Sequence, residues 1–142
     1  MGNRRQAREC ALQMLYQLDM SRGEADEIFA RFWQTNEADS EVRAFADELV
    51  RGVVKNMVEL DDLLSSHSTN WKISRMAAVD KNVLRLAAYE LTSRPDIPVK
   101  VTINEAVEIA KRFGTAESGA FVNGILDNIA GKVKKDQPGE EK

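Results

Sequence analysis

Cysteine, histidine and proline are scarce in this chain. It has one cysteine, Cys10, one histidine, His67, and three prolines among 142 residues. A lone thiol closes no intrachain disulfide, and a lone imidazole in a Ser/Thr-rich loop is poorly placed to activate a nucleophile. No apolar run reaches the ~18 residues of a membrane span, and the arginine-rich N-terminus lacks the apolar core and cleavage site of a secretory leader. These absences predict a cytoplasmic protein that keeps away from membranes. At this length a domain buries roughly 68–70% of the surface its unfolded chain exposes, so the fold needs no disulfide or structural metal.

Charge is plentiful but unevenly spread. The formal net charge is −3 with a pI near 5.3, yet residues 1–22 are net +2 and residues 23–48 net −6. Most of the surface therefore repels polyanions, and any nucleic-acid binding is confined to a local basic patch. Arg4, Arg5 and Arg8 are the first candidates.

Apolar spacing predicts helices throughout. Ala7, Ala11, Met14 and Leu18 mark a first helix over 4–18, stopped by Ser21-Arg22-Gly23. Ile28, Phe29, Phe32 and Trp33 mark a second over 26–34. Val42, Phe45, Leu49, Val53, Leu60 and Leu64 keep one register and predict the longest helix, with Ser40 as its N-cap. A short helical turn over 71–76 and a helix over 79–91 follow, the latter with Val79, Val83, Leu86 and Ala87 or Tyr89 inward. Pro95 and Pro98 break the chain, because neither has a donor and each biases its predecessor away from the α region. Thr102-Ile103-Asn104-Glu105 fits a capping box, leading into a helix that Gly114 terminates. A last helix spans about 117–133, and 134–142, without an apolar residue, reads as a disordered tail. With no β-alternation anywhere, the expectation is an all-α fold of about seven helical segments.

Most chemical constellations dissolve into structural readings. Cys10 lies within a helical stripe, and Glu59, Asp61 and Asp62 form a solvated acidic face rather than a ligand set. Residues 114–119 have the glycine spacing of a phosphate loop, but Ala120-Phe121 stands where Lys-Ser/Thr is required and a helix precedes it. Two features point further. Arg4 and Arg8 are one turn apart on a helix, presenting two guanidinium forks suited to phosphates. Gly119 and Gly124 weaken the last helix by about 1 kcal/mol each relative to alanine, which implies either close packing or a small exposed platform. On such a platform Phe121 beside Asn123 would stack an unpaired base.

Four segments carry a family resemblance: Arg4 to Gln17 (RRQARECALQMLYQ), Val83 to Leu91 (VLRLAAYEL), Ile97 to Gly114 (IPVKVTINEAVEIAKRFG) and Phe121 to Asp127 (FVNGILD). In this order and at these separations they resemble the NusB family of bacterial transcription antitermination factors, from Arg4 to about Val133. The resemblance implies two small packed helical bundles, no enzymatic activity, no cofactor and no metal. It further implies binding of boxA, a single-stranded element of ribosomal RNA leader transcripts. In that family the RNA is held jointly with NusE, also a small-subunit ribosomal protein, and the pair joins NusA, NusG and RNA polymerase to support ribosomal RNA synthesis.

Carried over by position, the resemblance assigns Arg4, Arg5 and Arg8 to the N-terminal RNA contact, and Glu117, Phe121 and Asn123 to a second one. Tyr16 and Asp80 fall on the NusE side, Asp80 one methylene shorter than the glutamate expected there. Gly119-Ala120 replaces larger, more basic residues, which shifts weight onto the N-terminal arginines. Three neutralised phosphates would give log K against log salt a slope of roughly −2 for a single strand. Two other readings stand beside this one: a protein-interaction adaptor that binds no RNA, and an RNA-delivery module for a ribosomal RNA methyltransferase. Self-association stays open, since some family members dimerise by burying the arginine-rich face.

Overall fold

The computed structural model describes residues 2–21, 23–68 and 72–136. Among these described residues seven α-helices follow one another: α1 (Gly2–Ser21), α2 (Ala25–Thr35), α3 (Ser40–Lys55), α4 (Met57–Ser66), α5 (Ala78–Ser93), α6 (Val99–Phe113) and α7 (Ser118–Asp136). A single 3-10 turn, Ile73–Arg75, precedes α5, and no strand occurs among the described residues. The all-α expectation holds.

Two bundles share one core. The first consists of α1, α2 and α3, and the second of α4 to α7; α1 and α3 both pack on α5, which joins them. α5 is therefore central. Its residues Asn82 to Ala88 are buried without interruption, so the single inward face expected for this helix is corrected to burial on nearly all sides. Leu84, Leu49, Leu64, Leu126 and Ile129 are fully enclosed, each contributing about 1.5–3 kcal/mol relative to exposure. Neighbours on every side also bury the polar residues Asn82, Arg85 and Glu90, which a one-faced reading leaves in solvent.

Partners make that burial tolerable. Arg85 donates from Nε and Nη2 to Asp61 at 2.8 and 2.9 Å, and from Nη1 to Asn82 and Asp19. Asn82 Nδ2 also donates to Asp19 at 3.0 Å. Asp61, read from sequence as part of a solvated acidic face, is thus half of the clamp between α4 and α5.

Several boundaries differ from expectation for local reasons. The helix expected to run unbroken through residues 42–64 is interrupted at Asn56, whose backbone sits at φ −108°, ψ 22° and whose side-chain amide donates to the Gly52 carbonyl at 2.8 Å. Apolar periodicity survives the break because Val53 and Leu60, two turns apart, remain on the buried side. Asp39, not Ser40, is the N-cap of α3. Gly114 does end α6, in extended backbone (φ −105°, ψ −150°) rather than a left-handed turn; a Cβ there would collide with Ser118 and the Ala110 carbonyl. The final helix continues to Asp136, beyond the boundary expected at 133, while 137–142 lie outside the described residues, as do Arg22 and Trp71.

Candidate nucleic-acid interface

α1 carries its three arginines into three different environments. Arg8 is 4% exposed and forms a two-bond fork onto Glu90, which is 1% exposed, with N–O distances of 2.7 and 2.8 Å. Thr102 Oγ1 donates a third bond to Glu90 Oε1 at 2.9 Å. Arg5 points outward and makes an equivalent fork to Glu105, at 2.8 and 2.7 Å. That hydrogen bond, opposed by partial burial and reinforced by the charges of Arg5 and Arg8, holds the Glu105 carboxyl below its ordinary range. Arg4 is exposed and lies on an aromatic face, with Cζ 5.1 Å from the Phe45 ring centre.

This geometry corrects two sequence readings. The paired forks expected from Arg4 and Arg8 are not both available, because the Arg8 fork is taken by a buried carboxylate. Thr102 and Glu105 do not form a capping box: α6 begins three residues before Thr102, with Pro98 as its N-cap, and the two side chains instead bind Glu90 and Arg5. Helical spacing had placed them correctly on one segment, but the carboxylate and the arginine that claim them lie on α5 and α1. Glu90 and Glu105 were missed as site-shaping residues. The signal available was a charged residue embedded in the apolar run Ala87-Ala88-Tyr89-Glu90-Leu91.

α6 links the two stretches named from sequence. Its Glu105 meets Arg5 of α1, and its Arg112 donates to Glu9 of α1 at 2.8 Å. One turn and a half beyond Glu105, Lys111 lies over the start of α7, where a Cβ on Gly119 would stand 2.9 Å from Lys111 Cγ. Gly119 is thus explained by close helix approach. Gly124 is not: nothing lies within 4 Å of its missing Cβ. Glu117 and Asn123 are exposed and Phe121 is half-buried against the core. The rise of an α-helix puts residues 105 and 111 about 9 Å apart along the axis, and six residues also turn through about 240°, so α6 meets the arginine end of α1 and the start of α7 with different sides.

Tyr16 lies on a different surface, which Asp80 joins only through its chain neighbour Val79. Tyr16 is 43% exposed and, with Leu12, Gln13, Gln17, Val79 and Phe113, lines an open groove between α1, α5 and α6. Asp80 follows Val79 in the first turn of α5, where a carboxylate is favoured by the helix dipole, and its Oδ1 is enclosed without a hydrogen-bond partner. Met20, 59% exposed, lies one turn beyond Tyr16 on α1.

The remaining chemistry-bearing residues are structural. Cys10 is buried, and burial raises its thiol pKa above the ordinary value. His67 caps α4, with Nδ1 3.0 Å from the Leu63 carbonyl oxygen and 3.1 Å from Ser66 Oγ. Among the described residues no acidic, cysteine and histidine side chains gather in a group able to hold a metal ion, and no helix is long and apolar enough to cross a membrane.

Comparison with known proteins follows the same elements. The NusB family model matches residues 5–131. The transcription antitermination protein NusB of Desulforapulum autotrophicum is 53% identical over 131 residues, covering 91% of this chain and 92% of that protein. A T. maritima NusB structure superposes with a TM-score of 0.84 at 43% identity, covering 91% of each chain. A structure of the antitermination factors NusB and NusE in complex with double-stranded RNA gives a TM-score of 0.81 at 27% identity, covering 93% of this chain and 98% of that one. With these helices, this packing and a match over nearly its whole length, the chain belongs to the NusB family.

Proposed function

We propose that this chain is a transcription antitermination factor that binds the single-stranded boxA element of ribosomal RNA leader transcripts together with NusE, and joins NusA, NusG and RNA polymerase in the antitermination complex. The observation that carries the reading is that α6 touches both candidate stretches, its Glu105 binding Arg5 of α1 and its Lys111 lying against Gly119 at the start of α7, and we take the surface joining them as the RNA strip. Arginines bind phosphates without reading sequence, and a half-buried aromatic ring reads an unpaired base by stacking. Arg4 and Arg5 supply the phosphate contacts, while Arg8 shapes the patch from beneath. Two phosphates rather than three lower the expected salt slope to roughly −1.4 for a single strand.

Affinity of so small a contact is modest, and a partner sharing the RNA raises it through effective concentration. The groove lined by Tyr16 and by Val79, the chain neighbour of Asp80, is the surface we assign to NusE. A related NusB is known in complex with NusE and double-stranded RNA, which supports a joint RNA platform in this family. The test is fluorescence anisotropy of a labelled boxA-type single strand and of a duplex control, titrated with the chain alone and with NusE across salt concentrations. Tighter binding with NusE, weakened by Arg4→Gln, Phe121→Ala or Tyr16→Ala, supports the reading. Salt-insensitive or absent RNA binding with NusE still bound points to a protein adaptor. One observation favours that second reading: two of the three N-terminal arginines are already neutralised by carboxylates of the same chain.

A further inference from the structure

The strip assigned to RNA carries its own anions. Arg5 is forked onto Glu105, and Arg112 donates to Glu9 at 2.8 Å. The pairs are lopsided: the Arg5 and Arg112 side chains are 48% and 66% exposed, whereas those of Glu105 and Glu9 are only 19% and 17% exposed. The carboxylates are therefore the enclosed members of the pairs and the guanidinium groups the solvent-facing ones. Exposed ion pairs of this kind contribute little to stability, so exchanging the carboxylate for a phosphate costs the fold little. Phosphate and carboxylate are geometrically equivalent acceptors for the guanidinium fork. The dry pair that Arg8 of α1 makes with Glu90 of α5 cannot exchange in this way.

Arg112 also lies where an extra contact is most useful. It sits at the end of α6, next to Lys111, which overlies the start of α7, and it reaches Glu9 on α1. Glu105 and Arg112, seven residues or nearly two full turns apart, both face α1 and meet its Arg5 and Glu9. Resting on the RNA reading given above, we propose that Arg112 is a further phosphate ligand of the single-stranded RNA, and that Glu9 and Glu105 are resident counter-ions that occupy Arg112 and Arg5 until backbone phosphates displace them. The counter-ions then hold down the affinity of the free chain, because each displaced carboxylate remains beside the bound strand.

Anisotropy titrations of a labelled boxA-type single strand, with NusE at fixed concentration, test this with full-length variants. Glu105→Gln and Glu9→Gln are each expected to bind about fivefold tighter than the parent at low salt, the equivalent of one unit charge removed at ~4 Å in water. Arg112→Gln is expected to weaken binding and flatten the salt slope by about 0.7. Melting curves confirm that each variant is folded; should Glu105→Gln melt early, Glu9→Gln, whose arginine is the more exposed, decides. If the glutamine variants bind no tighter and Arg112→Gln keeps the parental slope while Arg4→Gln and Phe121→Ala weaken binding, the counter-ion proposal falls and the RNA surface stands. If Arg4→Gln and Phe121→Ala are also without effect, the RNA surface itself is wrong and the proposal falls with it.

Discussion

Removing the Arg8 guanidinium distinguishes a residue that holds the fold from one that holds RNA. Arg8 and Glu90 are both nearly dry, joined by two short bonds, with Thr102 filling one more acceptor site on Glu90. Arg8→Ala leaves Glu90 as a buried, uncompensated carboxylate, for which the expected loss is about 3–5 kcal/mol. For a domain of this size that corresponds to a fall in Tm of about 10–15 °C. Removing both charges with apolar residues of similar length, Arg8→Met with Glu90→Leu, is expected to recover most of the loss, because no unpaired charge then remains. Urea titration of the parent, both single variants and the double variant gives the coupling directly. RNA titrations at a temperature where Arg8→Ala is folded should show an unchanged salt slope. A loss below about 1 kcal/mol together with a slope flattened by about 0.7 would refute the reasoning, since that is the signature of an exposed phosphate ligand.

Two glycines should respond oppositely to alanine. Gly52→Ala drives a Cβ into the Tyr89 ring and disturbs the Tyr89–Glu48 hydrogen bond, for an expected cost of about 1–3 kcal/mol, whereas Gly124→Ala meets open space and should gain about 1 kcal/mol; paired melting curves compare them. Acid should weaken the fold through Asp19, Asp96 and Glu105. For Asp19 burial pushes the carboxyl up but is outweighed by Asn82, Lys81 and Arg85; for Asp96 and Glu105 a hydrogen bond from Arg94 or Arg5 leads, and all three carboxyls end below their usual range. The unfolded chain takes up these protons first, so the stability they contribute is complete above the ordinary carboxylate pKa of about 4 and lost as pH falls through the lower folded values. Urea midpoints at pH 7 and pH 3 should show the drop, and Asp19→Asn should shrink it. Cys10 should resist iodoacetamide at pH 8 in the folded chain and react once urea exposes it, as its buried thiol is held above its usual pKa.

The helices themselves were legible because apolar spacing is local. Ile28, Phe29 and Phe32 of α2, and Ile109 with Ala110 of α6, are buried on the faces their periodicity indicates. Asn56 escaped notice because a kink that preserves the buried face leaves the apolar pattern intact. The capping box at Thr102 misled for the converse reason: a short polar motif is shared by helix starts and by interior residues that bond elsewhere.

What the sequence by itself determined is the all-α class, the approximate extents of the helices, the local basic end of α1 and the motifs that place the chain in its family. These depend on residues close together in the chain, or on order along it. Tertiary structure alone decided what each charged residue does. Arg4, Arg5 and Arg8 are near-identical in sequence context, yet one lies on a ring, one is paired at the surface and one is buried, because the partners Phe45, Glu105 and Glu90 come from three other helices. A guanidinium bound to a buried carboxylate anchors the fold, and one bound to an exposed carboxylate can exchange it for phosphate. That distinction is set by packing across α1, α5 and α6.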